Sequence, residues 1–182
     1  MRAPRFTATS LQRLRSLLRE EGGLMATLLS PASADMQAQA SPAALAGKGP
    51  RAEGQREEYE LLVEAIYEGY LLHYGAPRVV HVAEADLRLL AGDQLYAIGL
   101  ARLVALGDTL AVAELADTIT LSALAQGAGR AELADAVWQA GARAVGWGPS
   151  EALARAKDLV LAGAPEAIEA MRTSASALPA SP

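Results

Sequence analysis

The sequence predicts an all-α protein, a helical bundle gathered around one central buried helix. Three observations carry this. Hydrophobic residues make up 52% of the chain, but aromatic residues are only 4% with a single phenylalanine; alanine and leucine dominate, which favours helix over sheet. Apolar residues recur at steps of three and four, and no stretch alternates as a strand does. The helical stretches are separated by short turns such as Gly107-Asp108 and Gly127-Ala128-Gly129, which place successive helices side by side.

The central helix is predicted over about residues 83–106. Leu87, Leu90, Ala91, Leu95, Ile98, Ala101 and Ala105 keep one face apolar, and Leu89, Tyr96, Leu100, Leu103 and Val104 fill the opposite side. A helix apolar nearly all round has no face for water and is expected in the interior, with the other helices as its shell. Gly92 and Gly99, one heptad apart, cost such a helix about 1 kcal/mol each relative to alanine. Their presence predicts a close backbone approach along that line.

Taken in order, the chain starts with a short amphipathic helix capped by Thr9 or Ser10, with Leu11, Leu14, Leu17 and Leu18 opposite Arg13, Arg15 and Arg19, ended by Gly22-Gly23. Residues 1–29 form this N-terminal unit, and its basic face is read either as solvated or as contacting an anionic membrane surface or partner. Residues 30–54, rich in Pro, Ala, Ser and Gly without apolar periodicity, read as a flexible linker. Residues 55–172 read as the helical domain and 173–182 as a disordered tail. Within the domain, a helix over 57–74 turns Leu61, Leu62, Ala65, Ile66 and Tyr70 inward and Glu57, Glu58, Glu60, Glu64 and Glu68 outward. Tyr67, Tyr70 and Tyr74 form a stripe on it that suits a core, or the lining of a cavity for a lipid chain. The next helix, capped by Asp108, faces inward with Val112, Leu115, Ile119 and Ala123 and is expected to lie against the central one. Helices over 131–145, from 151 to near Gly163, and from Pro165 through Met171 complete the series.

Composition excludes several chemistries. The chain has no cysteine and only two histidines, His73 and His81, so thiolate and histidine metal sites have no ligand spacing. A net charge of -5 gives no general attraction to nucleic acid. No run of eighteen apolar residues spans a membrane and the N-terminus lacks a signal-peptide core, so the expected location is the cytoplasm, with membrane-peripheral contact through the basic helix as an addition. The arginine-rich start also fits the composition of a transit peptide.

Residues 75–126 resemble the trans-isoprenyl diphosphate synthase family. Gly75, Pro77, Val80 and His81 match a Gly-x-Pro-x-Val-His run, and Leu90, Ala91, Gly92, Asp93 and Leu95 match the Leu-Ala-Gly-Asp-x-Leu text that opens the family's long central helix; Gln126 is the counterpart of a glutamine near the end of the following one. The resemblance implies a truncated isoprenyl-synthase bundle. The departures are as informative. The family holds magnesium through two Asp-Asp-x-x-Asp motifs, which neutralise the leaving diphosphate, whereas no aspartate stands between Tyr59 and Ala85 and only the isolated Asp135 and Asp158 beyond the matched region. Lys48 and Arg51 are all that remains of the cationic diphosphate grip.

The resemblance therefore implies a scaffold without catalytic residues or a metal of its own, like the small non-catalytic subunits of heteromeric synthases that make long chains such as menaquinone tails. Magnesium would belong to the catalytic partner. Tyr67, Tyr70, Tyr74, Asp93 and Gln126 are the candidates for binding a substrate, and Gly92, Gly99, Leu100, Leu103 and Leu115 are the expected seam with the partner subunit. The alternative is a stand-alone prenyl- or lipid-binding helical protein, or an adaptor, without activity.

Overall fold

A computed structural model describes residues 8–31 and 41–176. The described residues are helical, with no strand among them and a single antiparallel bridge between Leu29 and Val80. The helices are α1 (Ser10–Glu21), α2 (Gly23–Thr27), α3 (Pro42–Ala46), α4 (Arg56–Tyr74), α5 (Ala85–Ala105), α6 (Thr109–Gly127), α7 (Ala131–Trp147), α8 (Glu151–Leu161) and α9 (Ala167–Ser176).

Local chemistry sets most of the boundaries. Thr9 and Gln12 form a reciprocal capping box at the start of α1, and the Asp108 and Ser150 side chains accept from the third residues of α6 and α8. Gly22, at φ 72°, lets the chain leave α1 sharply and begin α2 at once.

The buried centre is α4, not α5. On α4 Leu62, Val63, Ala65, Ile66 and Leu72 have no exposed surface, while α5 buries only Ala91, Gly92, Leu95, Gly99 and Leu103. The expectation of a central buried helix over 83–106 is thus corrected. Ala97, Ala101 and Ala105 make α5 apolar by letter while adding little apolar area, so they face water at small cost. Leu90 and Val104 also face outward, at 63% and 59% exposure.

Two apolar clusters lie on either side of α4. One joins α4 to α6, α7, α8 and α9, with Trp138, Leu115, Leu121, Val145 and Met171 among its members. The other is made by Leu11, Leu14, Leu18 and Met25 of α1 and α2 against Leu61, Ala65, Leu72, Val79, Val80 and Leu95. The N-terminal helices therefore dock on the body through a core of their own.

Helix pairing also departs from the expected order. Helix α4 pairs with α5, and α6 pairs with α7 far more than with α5. Small residues explain both choices. A Cβ on Gly141 of α7 would overlap the Thr118 hydroxyl of α6, and one on Gly99 would strike Ile66 of α4, so each glycine marks a contact too close for any side chain. Replacing Gly99 by leucine is expected to cost about 3 kcal/mol through overpacking. Ala97→Leu, on the exposed side of the same helix, should leave thermal stability within about 0.5 kcal/mol; calorimetry on both variants checks the assignment of faces.

Residues 41–54 are not a free linker. Ser41 caps α3, Ala43, Ala46 and Ala52 are fully buried, and Gly49 lies directly on the backbone of Gly146 in α7. This stretch lacks periodicity because it packs as one short helix and a single 3-10 turn, buried through alanine and glycine rather than through large side chains. Residues 32–40 and 177–182 lie outside the described residues, as do residues 1–7; the rest of the expected tail, residues 173–176, is the last turn of α9.

Candidate functional site

The most unusual chemistry of the molecule sits on the buried side of α4. Glu64 and Glu68, one turn apart, have no exposed surface. Between residues 61 and 72 they are the only charged side chains, so whichever way the helix turns, that face carries them inward with its leucines. Their expected outward orientation is corrected here.

Both carboxylates are satisfied. Glu68 Oε1 accepts from the backbone N–H groups of Arg78 and Val79 at 2.6 Å each and from Val80 at 3.3 Å, and its Oε2 accepts from Arg78 Nε at 3.2 Å. Glu64 Oε1 accepts from Arg78 Nη2 at 2.6 Å and from the Ser41 hydroxyl at 2.9 Å, while the Ser10 hydroxyl donates to Oε2 at 2.5 Å. One guanidinium, itself largely buried, spans both carboxylates and lies 5.0 Å from the Tyr67 ring centre. The cluster thereby ties three distant parts of the chain to α4: the start of α1, the start of α3 and the segment after Gly75. It combines a buried ion pair with enough donors to make burial tolerable.

A second polar cluster fixes the start of α6. Asp108 accepts from Tyr59 Oη and Arg51 Nη2 at 2.6 Å each and from the Ala111 N–H at 3.0 Å. Burial acts to raise the carboxyl, but the Tyr59 hydroxyl, the Ala111 amide and Arg51 together hold it below the usual aspartate range. Burial, then the hydrogen bond to Asp108, pushes the Tyr59 hydroxyl up to about 12. With a folded value above the free value of about 10, Tyr59 contributes stability below pH 10 that is lost as pH rises through 12; Asp108, with its folded value depressed, contributes above about pH 4 and loses it as pH falls. Tyr59→Phe is expected to cost about 1–2 kcal/mol at neutral pH. The difference between wild type and variant should narrow between pH 10 and 12 in urea titrations. A constant difference would mean that the hydroxyl is not titrating there.

The residues singled out in sequence fall into three places. Tyr67 and Tyr70 stack 5.8 Å apart and both meet Trp138 of α7, at 4.9 and 5.2 Å between ring centres, where they fill the space between the two helix pairs. Tyr74 is 45% exposed at the end of α4. Gln126 Nε2 donates to Tyr70 Oη at 2.6 Å and so binds the end of α6 to α4. Asp93 faces solvent, 3.1 Å from His73 Nε2 without the alignment of a hydrogen bond; the His73 ring stacks on Tyr96 at 5.3 Å. Asp93 is not brought together with the tyrosine stripe's buried members. Lys48 is exposed and Arg51 is engaged by Asp108, so they form no joint grip.

The expected partner seam is corrected most. Gly92 and Gly99 are covered by α4 of the same chain: a Cβ on Gly92 would come within 2.6 Å of His73 Nε2 and within 3.0 Å of the Gly69 carbonyl. Leu103 and Leu115 have no exposed surface, and Leu100 is half-buried against the main core. The outward surface of the same helices is different. Leu89, Leu90, Val104, Leu106 and Leu110 supply five of the nine exposed large apolar side chains among the described residues, all between α5 and the first turn of α6. Along α5, Leu90, Gln94, Ala97, Ala101 and Val104 follow steps of four and three, the spacing of a seam for another helix.

No group of three or more carboxylates and imidazoles among the described residues is placed to hold a metal ion, and no described helix is long and apolar enough to cross a membrane. No known family model matches this chain. Neither a curated protein nor a solved structure matches it.

Proposed function

We propose that this chain is a non-catalytic subunit of a heteromeric polyprenyl diphosphate synthase, which it supports by pairing with the catalytic subunit through the outer surface of α5 and α6. The observation that carries the subunit role is that exposed hairpin surface. A single chain gains nothing by leaving Leu90 and Val104 in water, and clustered exposed apolar side chains mark association surfaces. The identity of the partner class rests on the resemblance of residues 75–126.

The buried carboxylates support the absence of chemistry. Glu64 and Glu68 have the i, i+4 spacing of the first and last aspartates of an Asp-Asp-x-x-Asp motif, upstream of Gly75 where the resembled family places its first one. Here a tethered guanidinium occupies the position between them where an ion would have to sit. A pair closed in this way has no free oxygen lone pairs directed at solvent and cannot exchange its cation for magnesium. The purified chain, supplied with an allylic diphosphate, isopentenyl diphosphate and magnesium, is expected to release no diphosphate. Magnesium-dependent turnover by the isolated chain would overturn the reading.

A further inference from the structure

A second surface feature lies apart from the α5–α6 seam. Helices α6 and α8 touch each other sparingly, and the furrow between them encloses about 380 Å³. Its floor is apolar, with Leu121 and Leu153 almost fully buried, and its rim carries Leu161 at 63% exposure. One turn beyond Thr120 on α6, Leu124 stands 50% exposed on the same side.

The charges in the furrow do not balance. The Lys157 ammonium lies 2.8 Å from Glu114 Oε2 and 2.7 Å from Asp117 Oδ2, so it is shared by two carboxylates. Asp158, one residue on and also lining the furrow, has no cationic partner among the described residues. Three carboxylates against one ammonium leave a net negative groove with a leucine floor. An anionic ligand would be repelled, and a small cation would find only the Glu114–Asp117 pair converging, on a point that the Lys157 ammonium already occupies. A helix laid along a furrow between two helices instead meets apolar side chains with one face and carboxylates with its edges.

We infer that this furrow receives a basic amphipathic helix of the protein partner, one that sets leucine-like side chains against Leu121, Leu153 and Leu161 and lysine or arginine beside Asp117 and Asp158. The inference rests on the reading of the chain as a subunit, and it specifies the chemistry of one docking element on the partner. Charge complementarity gives the interaction its direction and its salt dependence.

The test uses the intact chain and two synthetic peptides, a leucine/lysine amphipathic helix and the same sequence with glutamate for lysine. The lysine peptide is expected to bind with a dissociation constant of tens of micromolar, at least about tenfold tighter than the glutamate peptide, and to weaken several-fold between 0.05 and 0.5 M salt. Amide shifts should cluster at Thr120, Lys157 and Leu161. Asp158→Lys and Leu161→Ser change exposed residues, so each should leave the melting curve unchanged and weaken the lysine peptide about tenfold. Equal binding of the two peptides, shifts centred on Leu90 and Val104, or indifference to both substitutions would overturn the inference. If the peptide fails in this way while the chain still assembles with a synthase, the furrow is excluded and the subunit reading survives; if the peptide binds as described but no synthase does, the subunit reading falls alone.

Discussion

Replacing Arg78 by alanine is expected to cost about 3–5 kcal/mol, because it leaves two carboxylates buried without their counter-charge. For a domain whose total stability is of order 5–15 kcal/mol, this means partial or complete unfolding at neutral pH. Arg78→Lys should also be damaging, since one ammonium cannot reproduce the guanidinium's simultaneous reach to Glu64 and Glu68. The loss should be recovered in large part by Glu64→Gln and Glu68→Gln combined with Arg78→Met, which removes the charges and keeps acceptors for the Val79 and Val80 amides. Calorimetry on the three proteins distinguishes this account from simple loss of packing: if the triple variant is no more stable than Arg78→Ala, the cost did not come from unpaired charge.

The second large effect is expected on association rather than folding. Leu90→Glu with Val104→Glu puts two charges on the outer face of α5, where both parent side chains are mostly exposed. The melting temperature should hardly move. Any assembly that buries this face loses the transfer energy of two apolar side chains and must also desolvate two carboxylates, so affinity should fall by about 100-fold or more. The furrow of α6 and α8 lies outside this change. Sedimentation of mixtures with the partner reads the affinity, and an unaffected complex would place the interface elsewhere.

Much of the fold was legible because the helices are punctuated by local chemistry. The Thr9 cap, Gly22, the Asp108 cap and Ser150 all act within a few residues of themselves, and the helices begin or end at them as the sequence predicts. What sequence could not rank was depth. Helix α5 is as apolar in composition as α4, yet α4 lies between two cores while Leu89, Leu90 and Val104 of α5 stay exposed, because composition does not say which apolar face meets a neighbouring helix.

The candidate site is hidden in the sequence for a related reason. Glutamate belongs in solvent by default, yet Glu64 and Glu68 stand alone among apolar neighbours on both sides, and a helix without a polar face cannot turn them outward without also exposing its leucines. That isolation was the available signal. The partner was less visible: Arg78 lies in a segment without regular structure, and only the tertiary fold brings its guanidinium under Tyr67. The seam expected at Gly92 and Gly99 correctly marked a close helix contact, but glycine spacing does not say whether the neighbour is the same chain. The neighbour is α4.

The most direct measurement of the central claim is to co-express this chain with a catalytic polyprenyl diphosphate synthase from the same source, and to determine the mass of the purified species together with the length and yield of its product. The account predicts a stable heteromer whose long-chain product rises with this chain and falls when Leu90 and Val104 are replaced by glutamate. A monodisperse monomer, beside a synthase equally active and making the same product without it, would contradict it.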